Sequence, residues 1–294
     1  VTLLRSQGVL SISSSFDIAV IVMIATAGTI FLMWLGELIT EKGIGNGVSL
    51  IIFAGIVSGL PTGLSKLFLT FDPTQIFIYI GLLVVTIVTI SGVVMVTEGQ
   101  RNIPVSYAKR VRGDNTYGGS SSHLPLRVNQ AGVIPIIFAM SIMLFPGMIA
   151  TFLMKASTPF IANSALFVNN LFQNQVFYSS MYFVLIVMFT YFYTAVVFDP
   201  VKIAENLQKQ GGYIPGIRPG KTTADFLYKI MNRITLTGSI FLGIIAVLPF
   251  IVQGVTNIQS LQIGGTGILI VVSVVIETIK QIEGQLVMRD YEGF

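Results

Sequence analysis

The side chains that most often do chemistry in enzymes are scarce in this chain. It contains no cysteine, which excludes disulfides, thiolate metal sites and cysteine nucleophiles within it. Its single histidine, His123, lies in the segment SSSHLPL, with no second histidine to share a metal ion. A serine hydrolase needs a nucleophile and a base at one depth, and the chain has no GxSxG motif. We therefore predict no catalytic residue, no metal site and no cofactor.

Charged side chains are also nearly absent from the apolar segments. Glu37 and Glu277 lie near the ends of theirs, where a carboxylate can reach water, and no aspartate lies at the centre of one. Ion-coupled transporters usually keep ionisable groups at mid-membrane depth. The pattern argues against proton or cation coupling, although sodium bound by backbone carbonyls stays open. An intramembrane aspartyl protease would lack its catalytic pair.

The composition is that of a membrane protein. Of the 294 residues, 53% are hydrophobic and only 10% are charged, and the mean hydropathy is +0.82. A soluble domain carries about a quarter charged residues, so the deficit of charge is too large for a soluble core. We predict an all-α fold, a polytopic bundle of transmembrane helices.

Seven apolar segments can be read as membrane spans. They cover residues 16–39, 48–60, 76–96, 132–154, 181–198, 235–252 and a segment that starts at 266 and stays apolar to 276. We expect residues 1–131 to hold spans one to three and a first basic loop at 97–131. Residues 132–294 would hold spans four to seven and a second basic loop at 199–234. The second span is short, so we expect it to extend into its flanks.

Lysine and arginine mark the cytoplasmic side of a membrane protein. We place both basic loops in the cytoplasm, which leaves only Arg5, Lys66 and Lys155 of the 17 lysines and arginines outside. The alternation of spans then puts the N-terminus outside. Because the chain starts at Val1 with no visible signal peptide, we expect an odd number of spans to be missing before it.

The fourth span contains the uncharged stretch VIPIIFAMSIMLFPGMIA at 133–150. Pro135 and Pro146 each remove a backbone donor and obstruct the carbonyl one turn earlier. In hydrocarbon a freed carbonyl needs a neighbour or water. We predict a helix packed inside the bundle, beside a cavity or a seam.

Three loop motifs could bind a partner or simply shape the chain. GIGNG at 43–47 suits a tight turn between helices. PGIRPG at 215–220 would present Arg218 on a stiff, exposed tip, or form an ordinary turn. The basic run SYAKRVRG at 106–113 either reflects only the enrichment of lysine and arginine in cytoplasmic loops, or forms a binding site for an acidic protein surface or ribosomal RNA.

Four longer segments resemble the bacterial SecY family, the channel subunits of the Sec protein translocase. They are FLMWLGELITEKGIGNGVSLIIFAGI at 31–56, EGQRNIPVSYAKR at 98–110, SSHLPLRVNQAGVIPIIFA at 121–139 and YIPGIRPGKTT at 213–223. The resemblance covers essentially the whole chain. It implies that the seven spans correspond to helices four to ten of a ten-helix fold, with the first three absent.

The resemblance also implies roles for individual residues. Apolar side chains would form a pore ring, made of Val48, Ile52, Ile137 and Ile270. The wall of a lateral gate would include Pro135, Ser141 and Phe145. The contact surface for a motor or a ribosome would include Gly216, Arg218, Pro219, Gly220, Lys109, Arg110 and Arg112.

By the same resemblance, the chain would conduct unfolded secretory polypeptides across the bacterial cytoplasmic membrane and release apolar segments sideways into the lipid bilayer. The expected partners are the SecE and SecG subunits, the SecA ATPase, the ribosome, and a preprotein with its signal sequence. The alternative from another class is a secondary solute transporter with broken helices.

Overall fold

The chain folds mainly into long helices. A computed structural model describes residues 15–43, 45–69, 73, 76–107, 110–112, 115–117, 121–154, 158–256 and 265–292. The helices in these segments are α1 (Ser15–Lys42), α2 (Gly47–Leu69), α3 (Ile76–Glu98), α4 (Ile134–Leu153), α5 (Pro159–Gln173), α6 (Gln175–Val197), α7 (Pro200–Lys209), α8 (Lys221–Thr256) and α9 (Gly265–Glu292).

The predicted helical bundle is confirmed. Five helical segments in the described part are long and apolar enough to cross a membrane, namely Phe16–Lys42, Ile76–Glu98, Ile134–Leu153, Gln175–Lys209 and Lys221–Gly254. The second predicted span lies in α2, which extends past residue 60 to Leu69, as its shortness required. The seventh predicted span lies in α9.

Short strands add a feature that the sequence analysis did not predict. They are β1 (Gln100–Tyr107), β2 (Arg110–Arg112), β3 (Asn115–Tyr117), β4 (Ser121–Arg127) and β5 (Gly212–Tyr213). Within the first basic loop, β1 pairs antiparallel with β4, and β2 with β3. From the second basic loop, β5 adds to the free side of β1, with Ser106 opposite Tyr213. The two basic loops therefore lie together, at what we call the basic-loop end of the bundle.

A small apolar core forms under this sheet. Ile103 and Val105 of β1 and Leu126 of β4 are buried on one side of the strands. They pack with Ile214, next to β5, and with Leu227 of α8. The alternation of buried and exposed residues along β1 has the period of two that a sheet with one covered face requires. The loops are thus a folded unit.

A larger apolar core lies within the bundle. Its buried residues come from α3, α4, α6, α8 and α9, and include Ile136, Ile186, Ala246 and Leu269. Between α6 and α8 the approach is close, since a Cβ on Gly243 would lie 2.6 Å from the ring of Phe183. Small residues allow membrane helices to approach closely where burial alone gives little driving force.

The described residues of the GIGNG motif, at 43 and 45–47, lie in the predicted tight turn between α1 and α2. Gly45 has a φ of +95°, and a Cβ on Gly47 would lie 1.9 Å from the carbonyl oxygen of Gly36. The hydroxyl of Thr40 accepts a hydrogen bond from the N–H of Gly47 at 2.8 Å and donates one to the carbonyl of Gly36 at 2.9 Å. Glycine is needed here because α1 and α2 meet backbone to backbone.

Helix α4 is less interrupted than its two prolines suggested. Pro135 lies in the first turn, where its missing N–H would have had no partner within the helix in any case. Only Pro146 lies inside the helix, which continues to Leu153. Pro135 therefore costs the helix no hydrogen bond, because the helix begins just before it.

Pairing of β1 with β5 can be tested directly, because the chain has no cysteine of its own. Changing Ser106→Cys and Tyr213→Cys should give a disulfide on mild oxidation, since Cα atoms of paired antiparallel residues lie about 4.5–5.5 Å apart. Cleavage at a protease site inserted at 155–157, followed by non-reducing electrophoresis, would show the joined fragments.

The control combines Ser106→Cys with Gln175→Cys, at the opposite end of the bundle. Equal cross-linking of the two pairs would contradict the contact between the loops.

Candidate functional site

Three isoleucines from three different helices share one apolar cluster in the membrane core. Ile270 of α9 is 6% exposed and belongs to the buried cluster, and Ile52 of α2 and Ile137 of α4 pack against that cluster. The chain segments that carry them are far apart in sequence. Three of the four residues predicted for the pore ring therefore lie in or against one apolar cluster.

Val48, the fourth residue predicted for the pore ring, lies outside this group. It sits one turn before Ile52 on α2 and is 46% exposed. Its side chain packs against α1, where Cγ2 lies 3.0 Å from the position that a Cβ on Gly36 would occupy. The isoleucine group, which consists of Ile52, Ile137 and Ile270, thus has Val48 as a neighbour along α2 rather than as a member of its cluster.

A cavity of about 260 Å³, lined by charged, polar and apolar residues, lies near the isoleucine group at the basic-loop end. Helices α2 and α4 begin at this end and α9 runs towards it. Each contributes a cavity residue about one turn from its isoleucine, namely Ser49 on α2, Ser273 on α9, and Val133, which directly precedes α4. On each of the three helices, the cavity residue therefore lies nearer the basic-loop end than the isoleucine does.

Charges of both signs lie around this cavity. Arg127, Glu277 and Lys280 line it. The ammonium of Lys280 lies 3.0 Å from a carboxylate oxygen of Glu98, which ties the end of α3 to α9. Two polar atoms of the cavity lining, Oδ1 of Asn129 and Oγ of Ser273, are buried without a hydrogen-bond partner in the described part of the chain.

The three residues predicted for the lateral gate are split by the structure. Ser141 and Phe145 are one turn apart on an outer face of α4, and Phe145 is 53% exposed. The Ser141 hydroxyl donates to the carbonyl of Ile137 at 2.8 Å, so its polar group is satisfied within the helix. Pro135 lies in the buried core instead. Only Ser141 and Phe145 share a face that another helix or lipid could cover.

The motif PGIRPG forms a tight, exposed tip. Gly216 and Gly220 have φ values of +83° and +96°, and Arg218 and Pro219 between them are exposed. The hydroxyl of Thr223, which is buried, donates to the carbonyl of Arg218 at 2.9 Å. This bond holds the backbone of the tip against the start of α8, so Arg218 projects from a fixed turn.

The predicted contact residues of the first basic loop can be placed only in part. Arg110 and Arg112 lie in β2, which pairs with β3. Lys109 lies outside the described residues.

Comparison with known proteins gives the family. A family model described as SecY matches residues 1–279. The chain belongs to the SecY family. The SecY subunit of the protein translocase of Halalkalibacterium halodurans is 47% identical over 284 residues, which cover 93% of this chain and 65% of that relative. The subunit of Thermotoga maritima is 47% identical over 91% of this chain and 59% of its own length. The chain thus spans about three-fifths to two-thirds of the length of these SecY relatives.

Solved structures agree on the fold. A SecY protein, studied for how its plug domain stabilises the closed state of the translocation channel, superimposes with a TM-score of 0.63, at 21% identity, over 97% of this chain and 70% of its own. A protein-conducting channel superimposes with a TM-score of 0.64, at 20% identity, over 97% and 69%. The SecY-like membrane fold is therefore shown, and the transporter alternative is not favoured.

The sequence analysis missed two polar residues of the cavity lining. Asn129 lies in the quoted segment SSHLPLRVNQAGVIPIIFA, five residues before α4, and Ser273 interrupts an apolar run in α9. A lone polar residue beside an apolar segment was the available signal. It did not suffice, because hydroxyls in membrane helices usually bond their own backbone, as Ser141 does.

The bond from Thr223 to the tip is testable. Changing Thr223→Val removes the hydroxyl while keeping the side-chain shape, and amide hydrogen exchange across 216–222 should rise by about fivefold, as expected for loss of one ordinary hydrogen bond. The measurement is exchange followed by mass spectrometry on the purified chain. Thr222→Val is the control, because Thr222 is exposed. Equal exchange in the two variants would show that the bond does not hold the tip.

Proposed function

We propose that this chain forms part of a channel that conducts unfolded polypeptides through the bacterial cytoplasmic membrane. The observation that carries the proposal is that Ile52, Ile137 and Ile270 share one apolar cluster, each about one turn from a residue that lines the cavity. A hydrated entrance that narrows at a ring of aliphatic side chains suits a substrate with no fixed sequence. Membership of the SecY family and the names of its relatives support the same function.

The isoleucine group accounts for both passage and sealing. Aliphatic side chains make no fixed hydrogen bonds, so they can yield to any passing side chain. When no polypeptide is present, an apolar constriction excludes water and thereby ions. The site works by shape and wetting, with no residue of the isoleucine group acting on a covalent bond. The chain therefore needs no catalytic group of its own.

Release into lipid would use the outer face of α4. Phe145 and Ser141 lie on this face, and we propose that they line a seam through which an apolar segment leaves sideways. Transfer of apolar surface from water to an apolar phase gains about 25 cal/mol per Å². That gain would sort signal sequences and membrane segments from polar ones.

Energy for transport would come from partners at the basic-loop end. We propose that the tip bearing Arg218 contacts the SecA ATPase or the ribosome, because a guanidinium on a rigid turn can form paired hydrogen bonds to a carboxylate. Lys109, Arg110 and Arg112 would extend this surface across the first loop. SecE and SecG would complete the assembly, and the substrate would be a preprotein with a signal sequence.

The apolar seal can be tested by making the isoleucine group polar. Changing both Ile52→Asn and Ile137→Asn should wet the constriction and raise ion conductance in planar bilayers at least several-fold. The matched control is Ile52→Leu with Ile137→Leu, which keeps the layer apolar and should leave conductance low. Unchanged conductance in the asparagine variant would remove the isoleucine group from the seal.

The role of the tip can be tested by charge reversal. Changing Arg218→Glu should reduce SecA- or ribosome-coupled export of a reporter preprotein by tenfold or more while leaving membrane assembly intact, because a carboxylate would repel an acidic partner. Arg233→Glu is the control, because Arg233 is also exposed but lies on α8, away from the tip. Normal export by the Arg218 variant would rule out the proposed contact.

A further inference from the structure

We propose that Asn129 and Ser273 hydrogen-bond the peptide backbone of the polypeptide as it enters the isoleucine group. This inference rests on the proposed function and assigns a task to two residues that different elements bring to the cavity. Asn129 lies on the linker between β4 and α4, and Ser273 lies one turn from Ile270 on α9. Both line the cavity.

The first support is that their polar atoms are unsatisfied. Asn129 is 8% exposed and Ser273 is 7% exposed. Oδ1 of Asn129 and Oγ of Ser273 have no hydrogen-bond partner among the described residues. Most buried polar side-chain atoms in proteins have a partner, and an unpaired one needs an explanation. A substrate that supplies the missing partners when it binds is such an explanation.

The second support is the chemistry of the cavity. Glu277 disfavours a free anion, while Arg127 and Lys280 disfavour a free cation. The amide oxygen of Asn129 can only accept a hydrogen bond, and the hydroxyl of Ser273 can donate one. Every peptide unit other than one before proline offers the matching N–H donor and C=O acceptor. A polypeptide backbone therefore fits the cavity, because it is neutral and carries both a hydrogen-bond donor and an acceptor.

The third support is that Asn129 is held in a fixed place. The N–H of its neighbour Val128 donates to the carbonyl of Gly99 at 2.8 Å. On the other side of the linker, a Cβ on Gly238 of α8 would lie 2.7 Å from the carbonyl oxygen of Val128. The linker is thus clamped between the end of α3 and α8, and Asn129 keeps its position without ordering cost when a substrate arrives.

Backbone contacts suit a channel that must accept any sequence. Contacts to side chains would favour some substrates, whereas N–H and C=O groups recur along every chain. Hydrogen bonds of this kind would hold the polypeptide extended on the basic-loop side of the isoleucine group. They would slow its backward movement towards the basic-loop end, called slipping below, while the SecA ATPase or the ribosome is not driving it forward. We expect Asn129 to bind N–H groups and Ser273 to bind C=O groups.

The test follows backward slipping of a reporter preprotein that is halted in the channel by a folded C-terminal domain. Two reporters differ only in the segment at the entrance, which is a run of alanines or a run of prolines. Proline has no N–H, so only the alanine reporter can donate to Asn129. The rate of slipping is measured after the energy source is removed.

Asn129→Leu should speed slipping of the alanine reporter by about fivefold, as loss of one hydrogen bond would, and leave the proline reporter unchanged. Asn129→Asp keeps an acceptor oxygen, so the alanine reporter should still slip more slowly than the proline reporter. Ser273→Ala should speed both reporters, because both have C=O groups. The control Ser239→Ala removes a buried hydroxyl that already bonds the carbonyl of Leu236 and should change neither.

Equal effects of Asn129→Leu on the two reporters, or no effect on either, would overturn the inference and leave water as the partner of these atoms. Failure of the wild type to move either reporter would overturn the proposed function itself. Each variant is also made with Ser106→Cys and Tyr213→Cys. Formation of the disulfide between these two cysteines shows that the fold is kept.

Discussion

Hydrocarbon offers a protein no hydrogen bonds, so polar groups inside the membrane must find partners within the chain. Most of the hydroxyls along these helices do so locally. Thr26, Thr86 and Thr190 each donate to the carbonyl four residues earlier in their own helix. In the described part of the chain, three buried side-chain atoms lack a hydrogen-bond partner, namely Oη of Tyr182, Oδ1 of Asn129 and Oγ of Ser273. The last two belong to residues that line one cavity.

The two apolar cores are joined by a short linker, and that joint gives the site its geometry. The sheet core ends at Leu126 of β4, and the membrane core begins at Val133. Between them Val128 is bonded to Gly99 and packed against Gly238. A force applied at the basic loops would therefore reach the start of α4. This is the helix that carries both Ile137 and the outer face with Phe145.

Small residues set how closely the helices approach. Gly36 and Gly47 let α1 and α2 touch backbone to backbone, and Gly243 receives the ring of Phe183 between α6 and α8. Larger side chains at Gly36 or Gly47 would move α2 away from its position and with it Ile52. The position of Ile52 thus depends on glycines at the contact between α1 and α2.

The sequence by itself determined the membrane class, the basic-loop topology, the stiff tip at Arg218 and, through its resemblance to SecY, the fold. These depend on composition and on short motifs, where each residue acts through its neighbours in the chain. It did not reveal that β5 completes the sheet of the first loop, that Pro135 opens a helix, or that Asn129 and Ser273 face one cavity with unpaired atoms. Only tertiary structure decided these, because a hydrogen-bond partner or a shared cavity is a relation between distant segments that no local pattern records.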